Sequence, residues 1–199
     1  MNDQYFITKG FKKIGEGIYV YNNLLSEEEI SKLTVVFDNV RNKSLFNKSL
    51  DGTTFENRIS VPLRQLEIVW EKASAVIGPE FYMPPNESVN VMQEGDDWGQ
   101  HSDNHDFLEK RKLSLSLKEG EPYEVVKDTR YGVVVYFNKV DEGGDLYYSQ
   151  QNITYSPNPG DMVVHSAEEE CMHGVNKVLR GYRYSYSNFL SIDMKIPVR

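Results

Sequence analysis

The chain has one cysteine, Cys171, in 199 residues. That excludes an internal disulfide and a cysteine-rich zinc site. Histidine is scarce too: His101, His105, His165 and His173 are the whole supply. A transition-metal site here must be built from these imidazoles and from carboxylates, a nitrogen-and-oxygen donor set. No apolar run approaches the ~18 residues of a membrane-spanning helix. The opening MNDQYFITKGFKK lacks the apolar core of a secretory signal. The expected location is therefore the cytoplasm, with no membrane partner. Basic residues are outnumbered, 22 Lys and Arg against 30 Asp and Glu, for a net charge of −8. Neutralising nucleic-acid phosphates needs the opposite excess, so no nucleic-acid partner is expected. Repeats, low-complexity tracts and Pro/Ser linkers are also missing, and residues 1–199 read as one domain.

What is present falls into two parts. Residues 17–25 read as a strand running into a turn. Ser26 and Glu29 form a capping box, and Ile30, Leu33, Val36 and Phe37 recur at helical spacing, which predicts a helix over 26–40. A second helix fits 63–77 and stops at Gly78-Pro79. Between them, 41–58 is polar, carries Asp51-Gly52 and reads as a surface loop. Strands follow at 87–93, 131–138, 145–149, 161–165 and 183–192, separated by turn residues. Residues 108–127 are charged and read as a loop holding up to one strand. Short strands without intervening helices indicate an antiparallel, mainly β jelly roll (a double-stranded β-helix) over about 85–193. The N-terminal helices, within about 15–80, would pack on one of its sheets.

The candidate chemistry starts at His101-Ser102-Asp103. Residues i and i+2 of a strand face the same side, so an imidazole and a carboxylate could point together into the barrel. A second imidazole from a distant strand would complete a two-His, one-carboxylate set with three open positions, which suits non-haem Fe(II). His173 is the favoured third ligand and His165 the competitor. His105 lies four residues after His101, in polar surroundings that read as a loop near the site mouth. Arg183 stands in a strand of Tyr, Phe and Leu. Either it forms a surface ion pair, or it binds a carboxylate ligand inside the barrel through its planar fork. Arg180, before Gly181, is the alternative cation. Cys171 reads as a bystander.

His101-x-Asp103, then His173 with Gly181 at +8 and Arg183 at +10, resembles the prolyl 4-hydroxylase-like group of Fe(II)/2-oxoglutarate dioxygenases. The run IYVYNNLLSEEEISKL resembles that group's opening strand and helix, and YGVVVYFN with the Gly143-Gly144 turn resembles its middle strands. The similarity covers roughly residues 15–192. It implies His101, Asp103 and His173 as iron ligands, and Arg183 as the partner of the distal carboxylate of 2-oxoglutarate. Tyr136 would donate to the same carboxylate, with Ser185 helping. Trp98 and Gln93 stand where relatives often have tyrosines, so the pocket mouth is expected to be built differently. The implied cofactors are Fe(II), 2-oxoglutarate as cosubstrate, O2 and ascorbate. The implied reaction hydroxylates an unactivated C–H bond and releases succinate and CO2.

A prolyl residue in a peptide or protein is the substrate the resemblance points to first, with loop 41–58 as a lid. Acidic stretches at 94–97 and 168–170 would favour a basic peptide or simply form solvated faces. A free amino acid or other small molecule is the second reading, and a nucleic-acid demethylase fits the net charge poorly. A catalytically silent jelly-roll binding module is the third. Such a module would be expected to lose a ligand or the arginine, and neither is missing. The oligomeric state stays open.

Overall fold

The computed structural model describes residues 3–43, 58–103, 114 and 116–198. Its N-terminal part runs α1 (Gln4–Thr8), β1 (Lys12–Gly15), β2 (Ile18–Tyr21), α2 (Glu27–Lys43), β3 (Arg58–Ser60) and α3 (Leu63–Ile77). There follow β4 (Ser88–Gln93), β5 (Trp98–His101), β6 (Tyr123–Tyr136), β7 (Glu142–Gly143), β8 (Leu146–Tyr148) and β9 (Ile153–Tyr155). The chain ends in β10 (Met162–Ser166), β11 (His173–Val175), β12 (Val178–Arg180) and β13 (Tyr182–Pro197).

Helix α2 starts where its capping box directs. The Glu29 amide donates to Ser26 Oγ at 3.3 Å, and the Ser26 amide donates back to Glu29 Oε2 at 2.8 Å. Two otherwise orphaned amides are satisfied together. Ser26→Ala is expected to cost about 1 kcal/mol. The thermal midpoint should then fall by roughly 2–4 °C. An unchanged midpoint would show that the box contributes nothing. Helix α3 buries Leu66, Val69, Ala73 and Ile77, a single stripe, and ends at Gly78 with φ +98°. Lys72 of α3 pairs with Glu29 of α2 at 2.7 Å, tying the two helices together.

The strands form a jelly roll of two larger antiparallel sheets, with β7 and β12 paired separately as a two-stranded third. One has seven strands in the order β1-β2-β10-β6-β13-β4-β3, and the other four in the order β5-β11-β8-β9. Period-two alternation splits the seven-stranded sheet into two faces. Val133, Val135, Met162, Val164, Tyr184 and Tyr186 join the helices in one core. Val20, Val163 and Tyr136 face the smaller sheet, where they meet Leu146, Tyr148 and Val175. The same alternation turns His165, Arg183 and Ser185 toward the space between the sheets. Three buried polar side chains thus collect on the face turned to the smaller sheet.

Several strands differ from the sequence reading. Strand β6 begins at Tyr123, not 131, and β13 runs on to Pro197, because the two pair with each other from Ser185↔Tyr136 to Pro197↔Tyr123. Arg58, read as loop, opens β3, and α2 extends through Lys43. Residues 44–57 of the expected lid lie outside the described residues. Among the described residues, no helix is long and apolar enough to cross a membrane.

Candidate active site

The site forms where the two sheets face each other. His173, on β11, is the direct register partner of His101, on β5. Their ring centroids lie 4.4 Å apart. Asp103 does not share a strand with His101, as the i, i+2 argument required. Strand β5 ends at His101, and Asp103 sits in the following turn. The turn still delivers its carboxylate, with Oδ1 3.7 Å from His101 Nε2 and 4.0 Å from His173 Nε2. Donor atoms of His101, Asp103 and His173 all lie within 4.8 Å of one another, close enough to hold one metal ion.

The two imidazoles present the correct nitrogen. His101 Nδ1 is 3.0 Å from the Gly99 carbonyl, and His173 Nδ1 is 3.0 Å from the Cys171 carbonyl. A carbonyl only accepts, so each Nδ1 carries the proton and each neutral ring leaves Nε2 bare. Burial, with the neighbouring His165 imidazole, holds His173 down to about 3. Burial works against the Asp103 carboxylate, but the hydrogen bond from His165 and the surrounding imidazoles outweigh it and hold the group down to about 2. A neutral imidazole and an ionised carboxylate are the forms a metal ion binds, so the donor set fits Fe(II).

Arg183 and Ser185 line the same cavity as the three metal-binding donors. Arg183 is 4 % exposed, and no carboxylate among the described residues pairs with it. Its Nη1 donates to Ser185 Oγ at 3.1 Å, its guanidinium carbon lies 4.9 Å from the Tyr136 ring centroid, and its Nε meets no acceptor. The Tyr136 hydroxyl, fully buried, also lacks a hydrogen-bond partner. A buried cation with only neutral neighbours and a buried hydroxyl without a partner are costly unless an anion joins them. A ligand carboxylate is the group that satisfies both, so the pair fits 2-oxoglutarate.

The other candidates separate cleanly. Trp98 lines the cavity, with its ring 6.1 Å from that of His101. Gln93 pairs with Tyr182 on β13, and its amide donates to Asp96, so the acidic turn at 94–97 has a structural use. Arg180 is exposed, 3.9 Å from Asp141. The Cys171 thiol is pushed up to about 12 by burial, and donates to the Glu16 carbonyl. His105 lies outside the described residues. Three residues beside the metal-binding donors have a part that the sequence reading did not give them. His165, weighed only as a rival to His173, sits beside it with ring centroids 4.0 Å apart. Gly132 and Tyr148 were not singled out, although Gly132 interrupts an apolar strand.

Two facing sheets bring two imidazoles and a carboxylate together beside a guanidinium with no carboxylate partner among the described residues, a set that fits a metal-dependent oxygenase. Residues 88–191, which carry every cavity residue except Arg58, match the profile of the 2OG-Fe(II) oxygenase superfamily. The match spans just over half of the chain, and the chain belongs to that superfamily. No curated protein matches it in sequence. Solved structures do match in fold. The viral collagen prolyl hydroxylase of Paramecium bursaria Chlorella virus-1, in its 2OG complex, is 12 % identical with a TM-score of 0.60, over 89 % of this chain and 97 % of that one. A Trichoplax adhaerens prolyl hydroxylase bound to a hypoxia inducible factor peptide fragment is 12 % identical with a TM-score of 0.61, over 88 % and 83 % of the two chains. A Pseudomonas putida prolyl-4-hydroxylase is 13 % identical with a TM-score of 0.54, over 88 % and 92 %.

Proposed function

We propose that the protein hydroxylates a prolyl residue in a peptide or protein, using Fe(II), 2-oxoglutarate and O2. His101 Nε2, Asp103 Oδ1 and His173 Nε2 would hold the metal. Arg183, Tyr136 and Ser185 would hold the distal carboxylate of 2-oxoglutarate. The observation that carries the reading is Arg183, a buried cation without a carboxylate partner among the described residues, in the cavity that also holds the three metal-binding donors, with the unpartnered Tyr136 hydroxyl buried beside it. When bound, the iron and its cosubstrate supply the oxidising chemistry, with succinate and CO2 as by-products.

The protein's part is positioning and exclusion of water. Apolar Val133, Leu146 and Val175 wall the cavity. Asn90 donates to Ser187 Oγ at 2.6 Å, and with Asn188 these offer polar contacts for a peptide backbone. Trp98 and Phe189 supply flat apolar faces suited to a pyrrolidine ring. The fold neighbour bound to a peptide supports this substrate class. Arg58, which also lines the cavity, favours a second reading in which a free amino acid presents its own carboxylate.

A peptide library incubated with the chain, Fe(II), 2-oxoglutarate and O2, read by mass spectrometry, decides between them. Gain of one oxygen on proline is expected. Turnover of free amino acids alone would favour the second reading. Absence of any 2-oxoglutarate consumption by folded, iron-loaded protein would overturn both.

A further inference from the structure

His165 is fully buried between the sheets, yet the donor set of the proposed iron site is complete without it. Its Nε2 lies 3.1 Å from Asp103 Oδ2, and its Nδ1 lies 2.9 Å from the Tyr148 hydroxyl. Asp103 Oδ1, not Oδ2, is the oxygen that faces His101 and His173. We infer that Tyr148, His165 and Asp103 form a hydrogen-bonded relay that holds the carboxylate to a single metal-facing oxygen. The inference rests on the iron reading above and adds His165 and Tyr148 as positioning residues.

The proton positions follow from chemistry. An ionised carboxylate only accepts, so the hydrogen at this contact belongs to His165 Nε2. Nδ1 of the neutral ring is then bare and accepts the Tyr148 hydroxyl hydrogen. This is the opposite tautomer to His101 and His173, whose Nε2 atoms are the bare ones. His165 therefore offers the site an N–H, not a lone pair, and serves the carboxylate instead of the metal.

A second observation points the same way. Gly132 on β6 is the register partner of His165. It is absent from the glycines with positive φ, so its backbone does not demand glycine. Space does. A Cβ at this position would lie 2.5 Å from His165 Nε2 and would overlap Asp103 Oδ2. The missing side chain leaves room for the hydrogen bond.

The functional consequence is a count of coordination positions. A carboxylate free to turn can bind through both oxygens and occupy two positions. With Oδ2 engaged by His165, Asp103 would use one, which would leave three open for the cosubstrate and O2.

Anaerobic titration of the full chain with Fe(II) alone, followed by 2-oxoglutarate and visible spectroscopy, tests this. His165→Phe is expected to weaken Fe(II) binding about 10–100-fold and to diminish the charge-transfer band. His165→Gln, which restores an N–H donor, should recover most of both. Tyr148→Phe should weaken binding less, and add nothing in the His165→Phe background, because it acts through the imidazole. Iron affinity and band unchanged in His165→Phe would overturn the relay and leave the iron reading standing. Should that variant not fold, Tyr148→Phe differs by one oxygen atom, and unchanged Fe(II) affinity there would equally overturn it. An unsubstituted chain that binds no Fe(II) would remove the iron reading and the relay together.

Discussion

Arg183→Met is expected to abolish useful 2-oxoglutarate binding while leaving the ligand-free fold as stable as before, or more so. Arg183 is a buried cation whose neighbours are a hydroxyl, a thioether and a ring face. Its desolvation is only partly offset: a desolvated cation–π contact contributes about 2 kcal/mol, and no carboxylate pairs with it among the described residues. Methionine fills similar volume without charge, and replacing buried charges by apolar groups is often neutral or stabilising by about 1–4 kcal/mol. The cosubstrate sees the opposite effect. Losing one partner of a buried, charge-assisted contact costs about 2–5 kcal/mol, so the 2-oxoglutarate requirement should rise by roughly 10²–10³-fold. Fe(II) affinity measured without cosubstrate should barely move. Thermal melts with and without 2-oxoglutarate check both halves at once. A variant with a lower melting point that is still stabilised by 2-oxoglutarate would refute the assignment.

His173→Asn should eliminate turnover altogether. The amide nitrogen of asparagine can replace Nδ1 as the donor to the Cys171 carbonyl, which keeps β11 satisfied. It cannot replace Nε2, so only two of the three proposed metal donors remain. His173→Ala would lose both contacts and leave a buried carbonyl without its donor, at about 1–3 kcal/mol. The asparagine variant thus separates metal binding from folding. Its circular dichroism and ligand-free melting point should stay close to the parent's, while Fe(II)-dependent succinate formation vanishes. Retained turnover in this variant would move the metal site elsewhere.

Helices α2 and α3 were legible because their signals are local, whereas the five-residue α1 was not read at all. The α3 stripe and the Gly78 stop lie within one short window, and the observed bounds are those read from it. The strands of the barrel wall were legible where one face is apolar and alternates with the other. The outer halves of β6 and β13 were not, because residues such as Glu124, Lys127 and Asp193 pair across strands with little core beneath them. Lys127 bonds Asp193 and covers the Tyr82 ring, contacts between segments far apart in sequence. Strands β5 and β11 are three or four residues long, too short for a period to show. The structure brings His101 and Asp103 together, but through a turn and not through the shared strand face that their spacing suggested. His165 illustrates the remaining gap. Spacing along the chain could weigh it against His173, but only the pairing of β10 with β6 places it opposite Gly132 and within reach of Asp103.

Strand β5 is an edge strand of the four-stranded sheet, and among the described residues it pairs with β11 alone. It carries His101 and leads directly into Asp103, while His173 sits on β11 itself. An ion held by all three would stitch this free margin to the strand beside it, closing a loop of some seventy residues much as a covalent cross-link does. Losing the ion would then release one border of the barrel before the rest, a sub-global opening in which the seven-stranded sheet and its helices stay protected. The backbone groups freed from β11 would be open to pairing with another chain. Metal occupancy would then govern the barrel's local breathing and its tendency to self-associate, as well as its chemistry.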